Sequence, residues 1–245
     1  MASNHGTATW YGHACFELGT PGGVTILFDP WFGNPKSPKS APEVDRCDVL
    51  LVTHGHGDHF GDAQAIAARL KPFWPGIHEL SLWMGRRLPG GMDAMAGMNK
   101  GGTIEHRGLK ITMVHAEHSA GDWKEEVGAP VYLGEPVGFV VELESGLRLY
   151  FAGDTDVFSD MALIRELHRP DVAFLPIGGH YTMDPRSAAL AVQMLGVSDV
   201  IPMHYGTFPI LAGTPAELRD ELARRGVSAN VHELRPGQTV DIPGK

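Results

Sequence analysis

Cysteine is scarce in this chain, with Cys15 and Cys47 the only two in 245 residues. Two thiols build neither a disulfide framework nor a cysteine-rich zinc ribbon, so any metal has to be held by histidines and carboxylates. Long apolar runs are lacking as well. No stretch reaches the ~18 consecutive apolar residues of a membrane span, and the opening Met1-Ala-Ser-Asn-His carries neither the basic nor the apolar region of a secretory signal. A cytoplasmic protein without a membrane partner is the expectation. Positive charge is the third deficit: 20 Lys and Arg face 29 Asp and Glu, a net charge of −9 with histidine neutral, and no window is densely basic. Nucleic-acid-binding surfaces leave a basic stripe, so no nucleic-acid partner is expected.

A hydrophobic content of 43% excludes a disordered chain, and the length suits one α/β domain over residues 1–245 better than two small ones. Glycine, at 31 residues, is almost twice its usual share of ~7%. Either the loops are tight and numerous or backbones approach something closely. Short apolar runs rich in β-branched residues predict strands over Ala8–Phe16, Val24–Phe28, Val49–Thr53, Leu109–Val114, Val137–Leu143, Arg148–Ala152, Val172–Leu175 and Asp199–Met203. Helical spacing predicts Asp62–Leu70 and a helix through Met161, Ile164 and Leu167, stopped by Pro170. Asp184-Pro185 opens another that carries Ala188, Ala191, Val192 and Leu195, and the capping box Thr214 to Glu217 opens one running to about Arg225. Pro35–Pro42 reads as a surface loop, and Trp83 with Met84, Met92, Met95 and Met98 as core filling. Two β-rich stretches with helices after each fit two sheets packed face to face with helices outside.

The chemistry concentrates in Leu50–Phe60, where an apolar strand runs straight into His54, His56, Asp58 and His59. In extended chain, residues i and i+2 point the same way, so His54 and His56 can chelate one ion while Asp58 and His59 turn toward a second. Gly55 and Gly57 leave no side chain between them. Three more apolar runs end in ligand-type residues: His115 and His118, then Asp154, then His204. Rigid strand ends aim loop residues at one point. His54, His56 and His118 then make one group, Asp58, His59 and His204 a second, and Asp154 a bridge, each ion keeping room for water. His115 competes with His118 for the same place; His118 is preferred because it follows its strand as the other ligands do.

The chain resembles the metallo-β-lactamase superfamily, and within it the UPF0173 metal-dependent hydrolases, relatives of the ascorbate-6-phosphate lactonases. The resemblance is carried by YGHACF (Tyr11–Phe16), FDPWF (Phe28–Phe32), THGHGDH (Thr53–His59), GMNKGG (Gly97–Gly102), His118-Ser119, YLGEPVGF (Tyr132–Phe139), AGDT (Ala152–Thr155), PIGGHYTMDP (Pro176–Pro185) and PMHYGTFP (Pro202–Pro209). It implies a four-layer αββα sandwich with two metals at one edge. It also implies His118 as the third histidine, Asp154 as the bridging carboxylate and His204 as the last ligand. By the same resemblance His13, expected on the first strand, lies near the metals as a support or substrate contact, and Asp29 buttresses the ligand loop. His180 is the best candidate for a substrate-binding or proton-donating group outside the ligands, and the resemblance assigns it no role. His5, His78, His106, His168 and His232 lie outside the pattern.

The expected activity is that of a hydrolase in which two divalent ions share a bridging hydroxide that attacks a small ester, lactone or phosphodiester, with Asp58 orienting the nucleophile. Zinc suits imidazole and carboxylate, and Mn or Fe fits the same ligands. A metal-stabilised binding or regulatory protein without turnover is the alternative. The substrate is expected to be a small molecule. The resemblance leaves room for a homo-oligomer, although no coiled-coil seam is present.

Overall fold

The computed structural model describes residues 5–244; Lys245 and Met1–Asn4, which carry most of the opening segment considered above, lie outside the described residues. The first half of the chain supplies β1 (Thr7–Trp10), β2 (Phe16–Gly19), β3 (Thr25–Phe28) and β4 (Val49–Leu51), followed by the short helix α1 (Gly57–Phe60) and by α2 (Ala63–Leu70). A two-stranded parallel pair, β5 (Pro75–Ile77) and β6 (Ala96–Met98), encloses α3 (His78–Gly85). Next come β7 (Thr103–His106), β8 (Leu109–His115), the small hairpin β9 (Asp122–Lys124) and β10 (Ala129–Val131), then β11 (Val137–Glu142) and β12 (Arg148–Phe151). The remainder alternates: α4 (Met161–His168), β13 (Val172–Pro176), α5 (Pro185–Leu195), β14 (Asp199–Met203), α6 (Pro215–Arg225), β15 (Asn230–Val231) and β16 (Thr239–Asp241).

Five strands form one sheet in the order β16-β1-β2-β3-β4, and seven form the other in the order β15-β14-β13-β12-β11-β8-β7. In the second sheet β12 to β15 run parallel, and β13 and β14 are buried at every residue. Parallel strands covered on both faces read as unbroken apolar runs, which is why these two are plain in the sequence. The sheets meet through aromatic side chains. Phe28 stacks on Phe151 at 4.2 Å between ring centroids, and Phe16 meets Phe174 edge-on at 5.1 Å. Helix α5 lies against β13, flanked by α4 and α6, while α2 turns Ala63, Ile66 and Ala67 into the core. The architecture is the αββα sandwich. Among the described residues no helix is long and apolar enough to cross a membrane.

Helix ends follow their local chemistry. Asp184 accepts a hydrogen bond from the Ser187 amide, Thr214 and Glu217 complete the capping box of α6, and Gly196 and Gly226 close α5 and α6 in the left-handed conformation. Asp62 precedes α2 but its carboxylate accepts from the Phe32 amide instead of capping the helix.

One expected strand is broken. Ala8–Phe16 does not run through: β1 stops at Trp10, and the chain turns over Tyr11–Cys15 before β2 begins at Phe16. Gly12 (φ 93°) and His13 (φ 53°) are left-handed there, and Tyr11 N bonds Cys15 O at 2.8 Å. His13 therefore sits in a turn at the rim of the sheet and not on a strand. Strand β7 escaped the apolar search because TIEH alternates with an exposed, polar face at the sheet edge. The methionine segment is mixed: Met84 and Met95 fill the core, whereas Met92 is 49% exposed.

Phe151 touches Phe28, Phe16 and Phe174 and so ties both sheets. Truncating it, Phe151→Ala, is expected to cost about 3–5 kcal/mol of stability, measured by urea or thermal unfolding. A loss below about 1 kcal/mol would show that the two sheets do not depend on this contact.

Candidate metal centre

The ligand-type residues emerge together from the ends of strands at one edge of the sandwich. His54 and His56 follow β4 in extended chain, and α1 then begins with His56 as its N-cap, so Asp58 and His59 lie on the first helical turn. His118 lies three residues past β8, Asp154 three past β12, and His204 directly after β14 with φ 54°. Close packing holds these loops. A Cβ on Gly153 (φ 63°) would stand 2.6 Å from the Thr53 side chain, and one on Gly55 would stand 2.4 Å from Leu133. Gly57, by contrast, meets nothing closer than 3.8 Å, so only the first glycine of the pair is demanded by contact.

Beneath the ligands lies Asp29, fully buried and itself left-handed (φ 41°). Its Oδ1 accepts from the Thr53 amide at 2.7 Å, and its Oδ2 accepts from the Thr53 hydroxyl at 2.7 Å and from His59 Nδ1 at 2.8 Å. These bonds set tautomers. With Nδ1 of His59 donating to Asp29, Nε2 is the atom that faces the cluster and can give up its proton to an ion; His54 Nδ1, 3.0 Å from the Thr53 hydroxyl, turns its Nε2 toward the cluster in the same way.

Ligand atoms converge in three overlapping groups, each within 4.8 Å: His54, His56 and His118; His13, Asp58, His59 and His204; and His54, His59 and Asp154. His54 Nε2 and His56 Nδ1 face each other at 2.9 Å. Asp154 lies between the groups, with Oδ1 3.2 Å from His59 Nε2 and Oδ2 3.1 Å from His204 Nε2 and 3.7 Å from His118 Nε2. Yet His59 Nε2, His204 Nε2 and Asp154 Oδ1 are buried without a hydrogen-bond partner. Buried polar atoms normally find one. Converging imidazole nitrogens and carboxylate oxygens, orphaned in one place, are the donor set a divalent cation satisfies once it displaces any proton there, so the residues fit a metal.

Electrostatics agree with that fit. Burial holds His54 well below the usual imidazole range, so it is neutral and ready to ligate. Burial pushes His59 down too, but Asp154 and Asp29 on either side outweigh it and hold it well above 6.5. Burial would raise Asp154, and His204 with His59 overcomes it to keep the carboxyl well below 3.8. Burial lowers His13 to about 4; burial would raise Asp58, but the His13 hydrogen bond together with the charges of His59 and His13 overcomes it and keeps that group an anion.

The structure brings His54, His56, Asp58, His59, His118, Asp154 and His204 to one place, with His13 and Asp29 against them. His115 is elsewhere: its Nδ1 lies 3.1 Å from Lys100 Nζ and its Nε2 3.3 Å from Glu117, outside every ligand group. His180 is exposed, edge-on to Tyr181 at 4.4 Å, and also outside the groups. Of the other histidines, His232 bonds Asp199 and His106 stacks on Phe73. Two contributors escaped the sequence reading. Thr53 and Thr207, which bonds His13 Nδ1 at 3.0 Å, stand inside THGHGDH and PMHYGTFP, where a threonine gives no sign of which side chain it meets.

A family profile described as the Beta-lactamase superfamily domain matches residues 7–204. A UPF0173 metal-dependent hydrolase of Koribacter versatilis is 47% identical over 232 residues, which cover 94% of this chain and 96% of that protein. Another, of Rubrobacter xylanophilus, is 45% identical over 94% of each chain. Among solved structures, Igni18, a metallo hydrolase from the hyperthermophilic archaeon Ignicoccus hospitalis, superposes with a TM-score of 0.85 at 35% identity over 98% of this chain and 99% of that one. An isothiocyanate hydrolase from Delia radicum gut bacteria, with a TM-score of 0.73 and 19% identity over 96% and 98% of the chains, shares the fold.

In the metal-free protein His59 carries a proton that a metal must displace. Its raised pKa stabilises the metal-free fold fully below about 6.5, and that stabilisation is lost as pH rises through the folded value. Metal affinity therefore rises with pH for as long as pH lies below the folded value of His59, with protons released on binding. Calorimetric titration of the metal-stripped protein in buffers of different ionisation heat measures this; uptake without proton release would contradict the assignment.

Proposed function

The chain belongs to the beta-lactamase superfamily, among the UPF0173 metal-dependent hydrolases, and on that premise we propose that it is a two-metal hydrolase of a small ester, lactone or phosphodiester. The observation that carries the reading is the position of Asp154, whose two oxygens lie between His118 on one side and His59 with His204 on the other. One carboxylate reaching both groups is what a pair of ions needs and what a single ion does not. In this reading His54, His56 and His118 hold one ion, Asp58, His59 and His204 the second, and Asp154 both.

Ions held there would polarise the scissile bond and supply a water acidic enough to lose its proton near neutral pH. The chain does the rest. Asp29 and Thr53 hold His54 and His59 in the tautomers that present a lone pair. Asp58, ionised and partly exposed at the rim, is the group placed to accept a hydrogen bond from the attacking water and orient it. His180, exposed with its ring edge-on to Tyr181 at 4.4 Å, stays the candidate for a substrate-binding or proton-donating group outside the ligands. The donor set is imidazole and carboxylate, with Cys15 and Cys47 both buried as free thiols, which makes zinc the first choice and admits Mn or Fe. A net charge of −9 supports a small-molecule substrate over a nucleic acid.

Metal analysis is expected to give close to two equivalents per chain, and a panel of diesters, lactones and esters to reveal turnover that a chelator abolishes. His56→Ala and Asp154→Ala should each lose several kcal/mol of transition-state stabilisation, roughly a thousandfold in rate. Wild-type turnover by metal-free protein would overturn the mechanism. A fully loaded protein that turns over nothing on the panel would favour a metal-stabilised binding protein instead.

A further inference from the structure

His13 shares one ligand group with Asp58, His59 and His204, and its ring lies only 3.8 Å from that of His204. The hydrogen bonds separate it from its neighbours. His59 Nε2 and both nitrogens of His204 are buried without partners, whereas both nitrogens of His13 are engaged: Nε2 with Asp58 Oδ2 at 3.1 Å, Nδ1 with Thr207 Oγ1 at 3.0 Å. An ionised carboxylate only accepts, so Nε2 carries the proton and donates it to Asp58. That leaves Nδ1 as an acceptor, and the Thr207 hydroxyl donates to it. A neutral imidazole satisfied at both nitrogens has no lone pair left for an ion.

From this we infer that His13 is not a ligand but a positioning residue for Asp58, with Thr207 setting its tautomer. The inference rests on the two-metal reading and assigns a task within it. Asp58 is the member of its group that most needs holding. Its side chain is 36% exposed, against 0% for His59 and 2% for His204, and it stands on a helix of only four residues. Committing Oδ2 to His13 leaves Oδ1 for the ion and stops the carboxylate from swinging out to solvent.

His13 is itself fixed on several sides. Its carbonyl accepts from the His204 amide and from Trp10 Nε1, each at 3.0 Å, and Trp31 meets the ring edge-on at 5.2 Å. Two turns, Tyr11–Cys15 and the loop that runs from His204 to Thr207, thus build the brace and supply His204, the one ligand of the second group that does not come from α1. The left-handed backbone of His13 has the same meaning: a φ that costs a non-glycine residue strain is kept where it delivers a ring to Asp58.

The test is metal titration of stripped wild-type protein and of His13→Ala, His13→Gln and Thr207→Val, using zinc and following heat and metal content. Wild type is expected to bind two equivalents. In His13→Ala one equivalent weakens about 10–100-fold, as removal of a hydrogen-bonded support does, while the other is unchanged. Thr207→Val, isosteric and touching neither Asp58 nor the ion, weakens the same equivalent several-fold without lowering the melting temperature of the metal-free protein; it also stands in if His13→Ala does not fold. His13→Gln, whose amide can still donate to Asp58 but is a poor ligand, recovers most of the loss. Equal loss in His13→Gln and His13→Ala would make His13 a ligand and overturn the inference, as would a Thr207→Val protein that titrates like wild type. A wild type that takes up no metal overturns the two-metal reading and this inference with it.

Discussion

A carboxylate buried out of reach of water cannot stay charged unless donors surround it. Asp29 is buried, with 0% exposure, and its three donors come from the two residues the site most needs to control, Thr53 and His59. The Thr53 amide and hydroxyl pin the chain where β4 gives way to the ligand loop, and His59 Nδ1 pins the helix that follows. Through Thr53 the same carboxylate fixes His54. Removing it would leave the buried Thr53 amide and His59 Nδ1 without their acceptor and let the Thr53 hydroxyl turn toward His54, freeing both ligand tautomers at once. Geometry and electronics of the cluster therefore rest on one fully buried side chain beneath the ligands.

The cluster above it is built to be incomplete without a cation. Asp154 alone cannot satisfy three histidines, and the unpartnered nitrogens of His59 and His204 point at the same small space. In the metal-free state a proton on His59 partly substitutes, drawn there by Asp154 and Asp29. Metal binding, folding stability and pH are thereby linked through one imidazole. The proposed mechanism needs no large motion: strands that end together supply the ligands, and the two rim turns carrying His13 and Thr207 brace the partly exposed Asp58 carboxylate.

Much of this was legible in residue order, for identifiable reasons. His54, His56, Asp58 and His59 stand out because an apolar strand precedes them and because extended spacing groups alternate residues. His118, Asp154 and His204 stand out because each follows an apolar run. The parallel strands β13 and β14 are apolar at nearly every position and read plainly. Other features had no such signal. The break at Tyr11–Cys15 depends on a left-handed histidine, which no periodicity reveals, so His13 was expected on a strand it does not occupy. Strand β7 is polar and becomes a strand only because β8 offers it an edge. Thr207 is one threonine in a loop until the fold carries it across to His13. The choice between His115 and His118 needed geometry as well: His115 ends β8 facing Lys100 and Glu117, while His118 turns in toward Asp154.

The claim on which all of this depends is that two ions share Asp154. Anomalous diffraction from crystals of metal-loaded protein tests it most directly. The account predicts two peaks about 3.5–4 Å apart, one among His54, His56 and His118 and one among Asp58, His59 and His204, with Asp154 contacting both. A single peak, or two peaks that Asp154 does not join, would contradict it.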